Sequence, residues 1–210
     1  MKIQTFVLGD YQTNSFCLTA TEDTKDCVII DAGLSPEPLV DHLKENELNP
    51  VVVVLTHGHT DHIFGVNALC ENFGDIKIAI HKDDFAMLSD PVQNLSLMGG
   101  FSFTTKPADI ILKDRSTVEF AQIKLQVLHT PGHTPGGISL YSESDGVVFS
   151  GDALFASSIG RTDFVGGDYN QLINAIKTKL LVLPDETLVL TGHGPETTIG
   201  QEKKINQFLR

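Results

Sequence analysis

The chain has 210 residues, of which 41% are hydrophobic and 20% are charged, a composition typical of a globular protein and not of a disordered or membrane-embedded one. Its formal net charge of -12 opposes binding to DNA or RNA, and its longest apolar run, Val51 to Leu55, is too short to cross a bilayer. We therefore expect no nucleic-acid or membrane partner and, because the sequence opens without the apolar core of a secretory signal, a cytoplasmic location.

Short strands and helices alternate along the chain. The apolar pattern predicts strands near residues 3–8, 15–19 and 27–30, then a helix at 36–45 and a buried strand at 51–55. Apolar residues at helical spacing follow Asp61, which is placed to act as an N-cap, and predict a second helix. Further strands are predicted near residues 77–80, 110–113, 117–120, 123–129, 137–141, 147–149 and 188–190, and further helices near 168–181 and 197–208.

The predicted strands outnumber the helices, which are interspersed among them. This order is typical of sheets covered by helices. No repeat and no linker rich in Pro, Gly or Ser divides the sequence, so we expect a single domain over residues 1–210. An irregular segment at 89–105 contains Phe101 and Phe103. It fits either an apolar flap over a site, with these two side chains in a substrate pocket, or a surface loop without a catalytic role.

The buried run at 51–55 leads into Thr56-His57-Gly58-His59-Thr60-Asp61-His62, which holds four potential metal ligands. Alternate residues of an extended segment point to the same side, so His57 and His59 can reach one ion together. Asp61 and His62 begin the next element and can reach a second ion beside it. Imidazole and carboxylate groups suit zinc, and iron or manganese also accepts them.

Three later strand ends carry similar residues: His133 in His-Thr-Pro-Gly-His, Asp152 in Ser-Gly-Asp, and His193 in Thr-Gly-His. Active sites of sheet proteins gather beyond the carboxyl ends of strands, so these turns can converge with the first one. Of the remaining histidines, we assign structural roles to His42 and His81 and a supporting role to His129, which ends a strand. The sequence therefore predicts a site with two metal ions, most simply two Zn2+.

This ordered set of residues resembles the metallo-β-lactamase superfamily over nearly the whole chain. The resemblance implies an α/β (α+β) fold, a four-layer αβ/βα sandwich of two mixed β-sheets flanked by helices. It also implies a role for each ligand, with no organic cofactor. The ligands of the first metal would be His57, His59 and His133, those of the second Asp61, His62 and His193, with Asp152 bridging the two.

Two ions held in this way lower the pKa of bound water and supply a hydroxide nucleophile near neutral pH. Such a site can hydrolyse a thioester, an ester, a lactone or a lactam. Asp61 is the candidate catalytic residue beside the metal-bound hydroxide, where it can orient the nucleophile or transfer a proton.

Within the superfamily, the segments 154–164 and 192–200 resemble bacterial type II glyoxalases, or hydroxyacylglutathione hydrolases. That family converts S-lactoylglutathione to D-lactate and glutathione, which implies a small-molecule thioester or ester substrate. Arg161 is then a candidate pocket residue, or a structural partner of Asp163. Full-length members carry a C-terminal helical domain that contacts glutathione, whereas this sequence predicts only one helix near its end, so we expect that domain to be absent.

Other activities fit the same ligands. A persulfide dioxygenase of this superfamily shares the Gly-Arg-Thr-Asp segment at 160–163 and uses one iron. A metallo-hydrolase of another ester or lactone is a second alternative, and a metal-stabilised binding module without catalysis is a third. Metal content and the presence of bound water distinguish these classes. The sequence makes no prediction of the oligomeric state.

Overall fold

A computed structural model describes residues 1–210, and its first sheet uses six strands in their sequence order. The strands are β1 (Lys2–Leu8), β2 (Thr13–Thr19), β3 (Asp26–Ile30), β4 (Asn49–Val54), β5 (Lys77–His81) and β6 (Ile110–Leu112). Pairing is antiparallel from β1 to β3 and parallel from β3 to β6. The parallel strands therefore end at a common edge of the sheet.

The second sheet is built from the second half of the chain, in the order β14-β13-β10-β9-β8-β7. Its strands are β7 (Thr117–Phe120), β8 (Ile123–His129), β9 (Ile138–Ser142), β10 (Val147–Gly151), β13 (Leu188–Thr191) and β14 (Thr197–Thr198). A separate two-stranded hairpin, β11 (Leu154–Phe155) with β12 (Ser158–Ile159), follows β10. Strands β10 and β13 are parallel, so their carboxyl ends lie side by side.

Five α-helices accompany the sheets: α1 (Glu37–Glu45), α2 (Thr60–Ile63), α3 (Val66–Phe73), α4 (Tyr169–Ala175) and α5 (Ile199–Ile205). A π-helical turn over Ile176–Leu180 continues α4, and 3-10 helices cover Lys82–Ser89 and Gln207–Leu209. None of the helices combines the length and the apolar composition that a membrane-spanning helix needs.

The layers follow from the alternation of side chains along the strands. In β3, Cys27 and Ile29 face the core that contains α1 and α3, whereas Val28 and Ile30 face the second sheet. The outer face of the second sheet forms a third core with residues of α4, the π-turn and α5. The order helix, sheet, sheet, helix confirms the four-layer αβ/βα sandwich that the resemblance implied.

The structure corrects the helix predicted after Asp61. His59 occupies the N-cap position of α2, and Asp61 lies in the first helical turn. The helix also breaks before α3, because the backbone N–H of Gly65 donates to the carbonyl of Ala32 at 2.8 Å. This turn is therefore anchored to the loop that follows β3, and the anchoring fixes where Asp61 and His62 lie.

The core between the two sheets predicts how much stability is lost when a large side chain is removed from it. Phe149 is fully buried, and its ring lies 5.1 Å from that of Phe16 in an edge-to-face contact. Replacing Phe149 with Ala should lower the free energy of unfolding by about 3–5 kcal/mol, measured by urea denaturation. Phe85→Ala is the control, since Phe85 is 38% exposed and its loss should cost about 1 kcal/mol or less. Similar losses for both variants would contradict this packing.

Candidate metal centre

The predicted ligands come together where the strands of the two sheets end. The turn after β4 carries the first four ligands, and the turns after β8, β10 and β13 carry the other three. Backbone bonds join the two sheets at this edge: Ile138 N–H donates to Thr56 O at 2.8 Å, and Asn14 N–H donates to Gly192 O at 2.8 Å. The ligand-bearing turns are thus held by the main chain.

The first group comprises three buried histidines, His57, His59 and His133. One nitrogen atom of each lies within 4.8 Å of those of the other two. His59 Nδ1 and His133 Nε2 are 2.9 Å apart, near the separation of about 3.3 Å expected of neighbouring nitrogens on a tetrahedral zinc. Burial and neighbouring imidazoles lower the pKa of His57 well below its usual value, and mainly burial lowers that of His59 to about 3. Both rings are therefore neutral, as metal ligands must be.

The second group comprises Asp61, His62 and His193. His193 Nε2 lies 3.2 Å from Asp61 Oδ2 and 3.2 Å from His62 Nε2. Burial disfavours the charged form of His193, but hydrogen bonds to Asp152 and Asp61 raise its pKa to about 9. Burial likewise opposes charge on His62, yet the charges of Asp152, Asp61 and Asp31 raise its pKa well above the usual value. These carboxylates create a strong preference for positive charge at this position.

Asp152 lies between the two groups. Its Oδ2 atom is 3.5 Å from His133 Nε2 of the first group and 3.4 Å from His193 Nε2 of the second. Gly192 permits this placement, because a Cβ atom at that position would lie 2.1 Å from Asp152 Oδ1. The carboxylate is thus positioned to bind two ions at once.

Unsatisfied polar atoms support metal binding here. His57 Nε2, His59 Nε2 and Asp152 Oδ1 are buried without a hydrogen-bond partner. Leaving such a group unpaired costs about 1–3 kcal/mol, and coordination to an ion provides the missing partner. The donor set of imidazoles and carboxylates suits zinc and also suits iron or manganese. The residues present therefore fit two ions.

A supporting carboxylate, Asp31, was not predicted from the sequence. It is buried directly after β3 and accepts hydrogen bonds from Thr56 N–H at 2.8 Å and Thr56 Oγ1 at 2.7 Å. His62 Nδ1 lies 2.8 Å from Asp31 Oδ2, so Asp31 fixes the ring with Nε2 facing the ligands. The sequence did contain one signal for Asp31. Like the four turns predicted to carry ligands, it directly follows a strand.

Asp84 is a second supporting carboxylate that the sequence did not reveal. It lies fully buried in the 3-10 helix and accepts from Gly58 N–H at 3.0 Å, Thr134 Oγ1 at 2.7 Å and Gly136 N–H at 2.5 Å. Burial raises the pKa of this carboxyl group. Asp84 thereby joins the turn that carries His57 and His59 to the turn that carries His133.

A cleft of about 420 Å³ opens onto both ligand groups. Of the three residues predicted for a substrate pocket, Arg161 lines this cleft, and Phe101 and Phe103 lie outside its lining. Phe103 stacks on Phe64 at 4.8 Å and Phe101 meets the same ring edge-on at 5.9 Å, so these phenylalanines hold the loop in place. Leu95, Met98 and Gly99 are the residues of segment 89–105 that face the cleft.

His129 lies outside the ligand groups and stacks on His81, with ring centroids 4.1 Å apart and planes inclined by 17°. Asp83 lies nearby, and one potential ligand atom from each of His81, Asp83 and His129 lies within 4.8 Å of the other two. Nearly parallel stacked rings, however, direct their in-plane lone pairs along separate planes and not toward one ion. His129 Nε2 instead lies 2.9 Å from Pro135 O, beside the turn of His133. His42 packs on Phe6 and is not part of the cleft lining.

Comparisons with known proteins place these features in a family. The sequence profile of the metallo-beta-lactamase superfamily matches residues 8–193, which include all seven predicted ligands. Hydroxyacylglutathione hydrolase GloC from Haemophilus influenzae is 40% identical over 216 aligned residues, covering 100% of this chain and 98% of that protein.

Solved structures agree with this match. BLEG-1 B3 metallo-beta-lactamase superimposes with a TM-score of 0.94 at 43% identity, covering 99% of each chain. TTHA1623 in a di-iron-bound form superimposes with a TM-score of 0.86 at 35% identity, covering 98% of this chain and 100% of that one.

The placement of Asp152 predicts the effect of its removal. Asp152→Ala should reduce loading from two ions per chain to one or none, measured by elemental analysis after dialysis, because both groups lose a shared carboxylate. His42→Ala should retain both ions, since His42 lies outside the ligand groups. Equal losses from the two variants would contradict the assignment of Asp152.

The contacts of Asp84 predict a positioning role. In Asp84→Asn, the amide NH2 must face a hydrogen-bond donor in either orientation, because both carboxylate oxygens accept bonds. We expect the affinity of the first metal to fall about 10- to 100-fold in chelator competition, with the second affected less. The control is Asp83→Asn at the exposed neighbouring carboxylate. Unchanged first-metal affinity in Asp84→Asn would overturn this role.

Proposed function

Because this chain belongs to the metallo-beta-lactamase superfamily and is a metallo-hydrolase, we propose that it is a dinuclear enzyme that hydrolyses thioesters, with S-lactoylglutathione as its substrate. The products would be D-lactate and glutathione. We further propose zinc as the metal in both positions. The observation that carries the proposal is the pair of ligand groups that share Asp152 at the floor of one open cleft.

The division of ligands supports two ions. Asp61, His62 and His193 converge within 4.8 Å as a separate group from His57, His59 and His133. A mononuclear iron site would need only the first group and Asp152, and it would leave Asp61, His62 and His193 without an ion. The concentrated carboxylates around His193 therefore favour a second cation over a single iron.

When bound, two zinc ions supply a water of lowered pKa and polarise the carbonyl oxygen of the substrate. The chain's own residues provide the geometry. Asp61 lines the cleft, and its carboxylate lies 3.2 Å from His193 Nε2, where it would bind the second ion and could accept a hydrogen bond from the nucleophile. Asp31 holds His62 through its second ring nitrogen, and the carbonyl of Arg161 lies 2.7 Å from His133 Nδ1 and does the same for that ring.

Similarity to GloC across its full length supports the choice of thioester. The two chains align without a large unmatched region in either, so the comparison includes the residues around the cleft as well as the ligands. The open cleft beside the ligand groups supports catalysis over a closed structural metal site, because a substrate can reach both groups from solvent.

The test combines metal content with turnover. Purified chain reconstituted with zinc should hold close to two ions and hydrolyse S-lactoylglutathione, followed by the loss of thioester absorbance. Asp61→Asn should lower kcat about 100-fold or more with a smaller change in KM, because it weakens a group that acts on the nucleophile. Val92→Ala, at a 58% exposed position outside the cleft lining, is the control.

Three results would contradict the proposal. One iron per chain with oxygen uptake on a glutathione persulfide would instead make it a dioxygenase. Turnover of a lactone or a β-lactam but of no thioester would keep the hydrolase and change the substrate. Two tightly bound ions with no hydrolysis of any such compound would indicate a binding module.

A further inference from the structure

Apolar side chains form part of the cleft wall beside the metal ligands. The Phe164 ring lies 5.6 Å from the ring of His59 and 6.3 Å from that of His133, next to the first ligand group. The Phe155 ring lies 6.1 Å from that of His193, next to the second group. Each ligand group therefore has an aromatic side chain beside it. A substrate whose scissile bond lies at the ligands would contact these rings with its neighbouring atoms.

Apolar side chains also remain exposed at the cleft. Met98 is 69% exposed and Tyr11 is 53% exposed, and both line it together with Leu95. Large apolar side chains grouped around a concave site mark a surface that is covered when a ligand binds. The loop that carries Leu95 and Met98 is held by hydrogen bonds of the Asn94 side chain, which donates to Met87 O at 3.0 Å and to Phe103 O at 2.9 Å. These apolar side chains are therefore presented by a supported loop.

Positive charge is scarce in the same cleft. Arg161 is the one Lys or Arg residue in its lining. Its Nε and Nη2 atoms already donate to Asp163 at 3.0 Å and 2.7 Å, and its guanidinium lies 4.1 Å above the Phe164 ring. The thiol part of a glutathione thioester carries two carboxylates. Away from the metal ligands, the cleft therefore offers these carboxylates one side-chain cation, which is already paired with Asp163, and the chain has a net charge of -12.

From these contacts, and resting on the proposed thioester hydrolysis, we infer that the site binds the apolar atoms around the sulfur and does not select the charged ends of glutathione. Its substrate class is then S-(2-hydroxyacyl) thioesters of thiols that need carry no charge. Binding of the thiol part depends on contact with Met98, Phe155 and Phe164.

The first test compares two thioesters of the same acid. S-lactoyl-N-acetylcysteamine has an uncharged thiol part, and its kcat/KM should equal or exceed that of S-lactoylglutathione. Raising NaCl from about 0.05 to about 0.5 M should change neither value by more than about twofold. Preference for S-lactoylglutathione by more than about threefold would overturn the inference while leaving thioester hydrolysis intact. Hydrolysis of neither compound would overturn the proposed function and the inference together.

A second test places a cation at the cleft. Met98→Lys should raise kcat/KM for S-lactoylglutathione relative to the uncharged thioester by about two- to fivefold, and salt should abolish that gain. Leu97→Lys is the matched control, since Leu97 is 52% exposed on the same loop but does not line the cleft. Its ratio of the two kcat/KM values should match that of the unmodified chain. An equal shift in both variants would show a general charge effect and would overturn the assignment of Met98 to the thiol part.

Arg161 provides the opposite test. If its pairing with Asp163 leaves it unavailable to substrate, Arg161→Met should change kcat/KM for the two thioesters by the same factor. A selective loss for S-lactoylglutathione would show that Arg161 binds a glutathione carboxylate, and the inference would then be wrong.

Discussion

The buried carboxylate of Asp84 is the interaction on which the arrangement of the site depends. It accepts three hydrogen bonds, from the turn between His57 and His59 and from the turn that follows His133. A charge buried at this depth is tolerated only when its acceptor capacity is filled, so these turns cannot separate without a large penalty. Asp31 imposes a similar constraint between Thr56 and His62. The ligands are consequently positioned by groups that never face the cleft.

Much of the fold could be predicted because burial leaves a clear pattern in the strands. The continuous apolar runs of β3 and β4 indicated strands that are covered on both faces, and ligand types at four strand ends indicated where the site lies. Short elements gave no such signal. Strands β11, β12 and β14 have only two residues each, too few for any periodicity, and tertiary contacts alone define them.

The side chains around the site were harder to predict than its ligands. Asp84 lies in an eight-residue 3-10 helix beside Asp83, and nothing in the sequence distinguishes the buried carboxylate from the exposed one. Phe101 and Phe103 illustrate a related difficulty. Both pack on Phe64, and a sequence does not distinguish an aromatic loop residue that packs inward from one that faces a cleft. GloC and BLEG-1 resemble this chain over nearly its whole length and carry the names of different activities, so membership of this family does not by itself specify a substrate.

The division of the chain between the two sheets has a consequence for folding. Residues up to Leu112 build the first sheet and residues from Thr117 onward build the second, so each sheet forms from one continuous half of the chain with mostly neighbouring strands paired. Each half can therefore form its own sheet without a strand from the other half. The ligands, in contrast, come from both halves, four from the first and three from the second. A complete coordination sphere can therefore exist only after the halves dock, and metal capture becomes a late step that traps the correctly assembled chain and discriminates against partly folded forms.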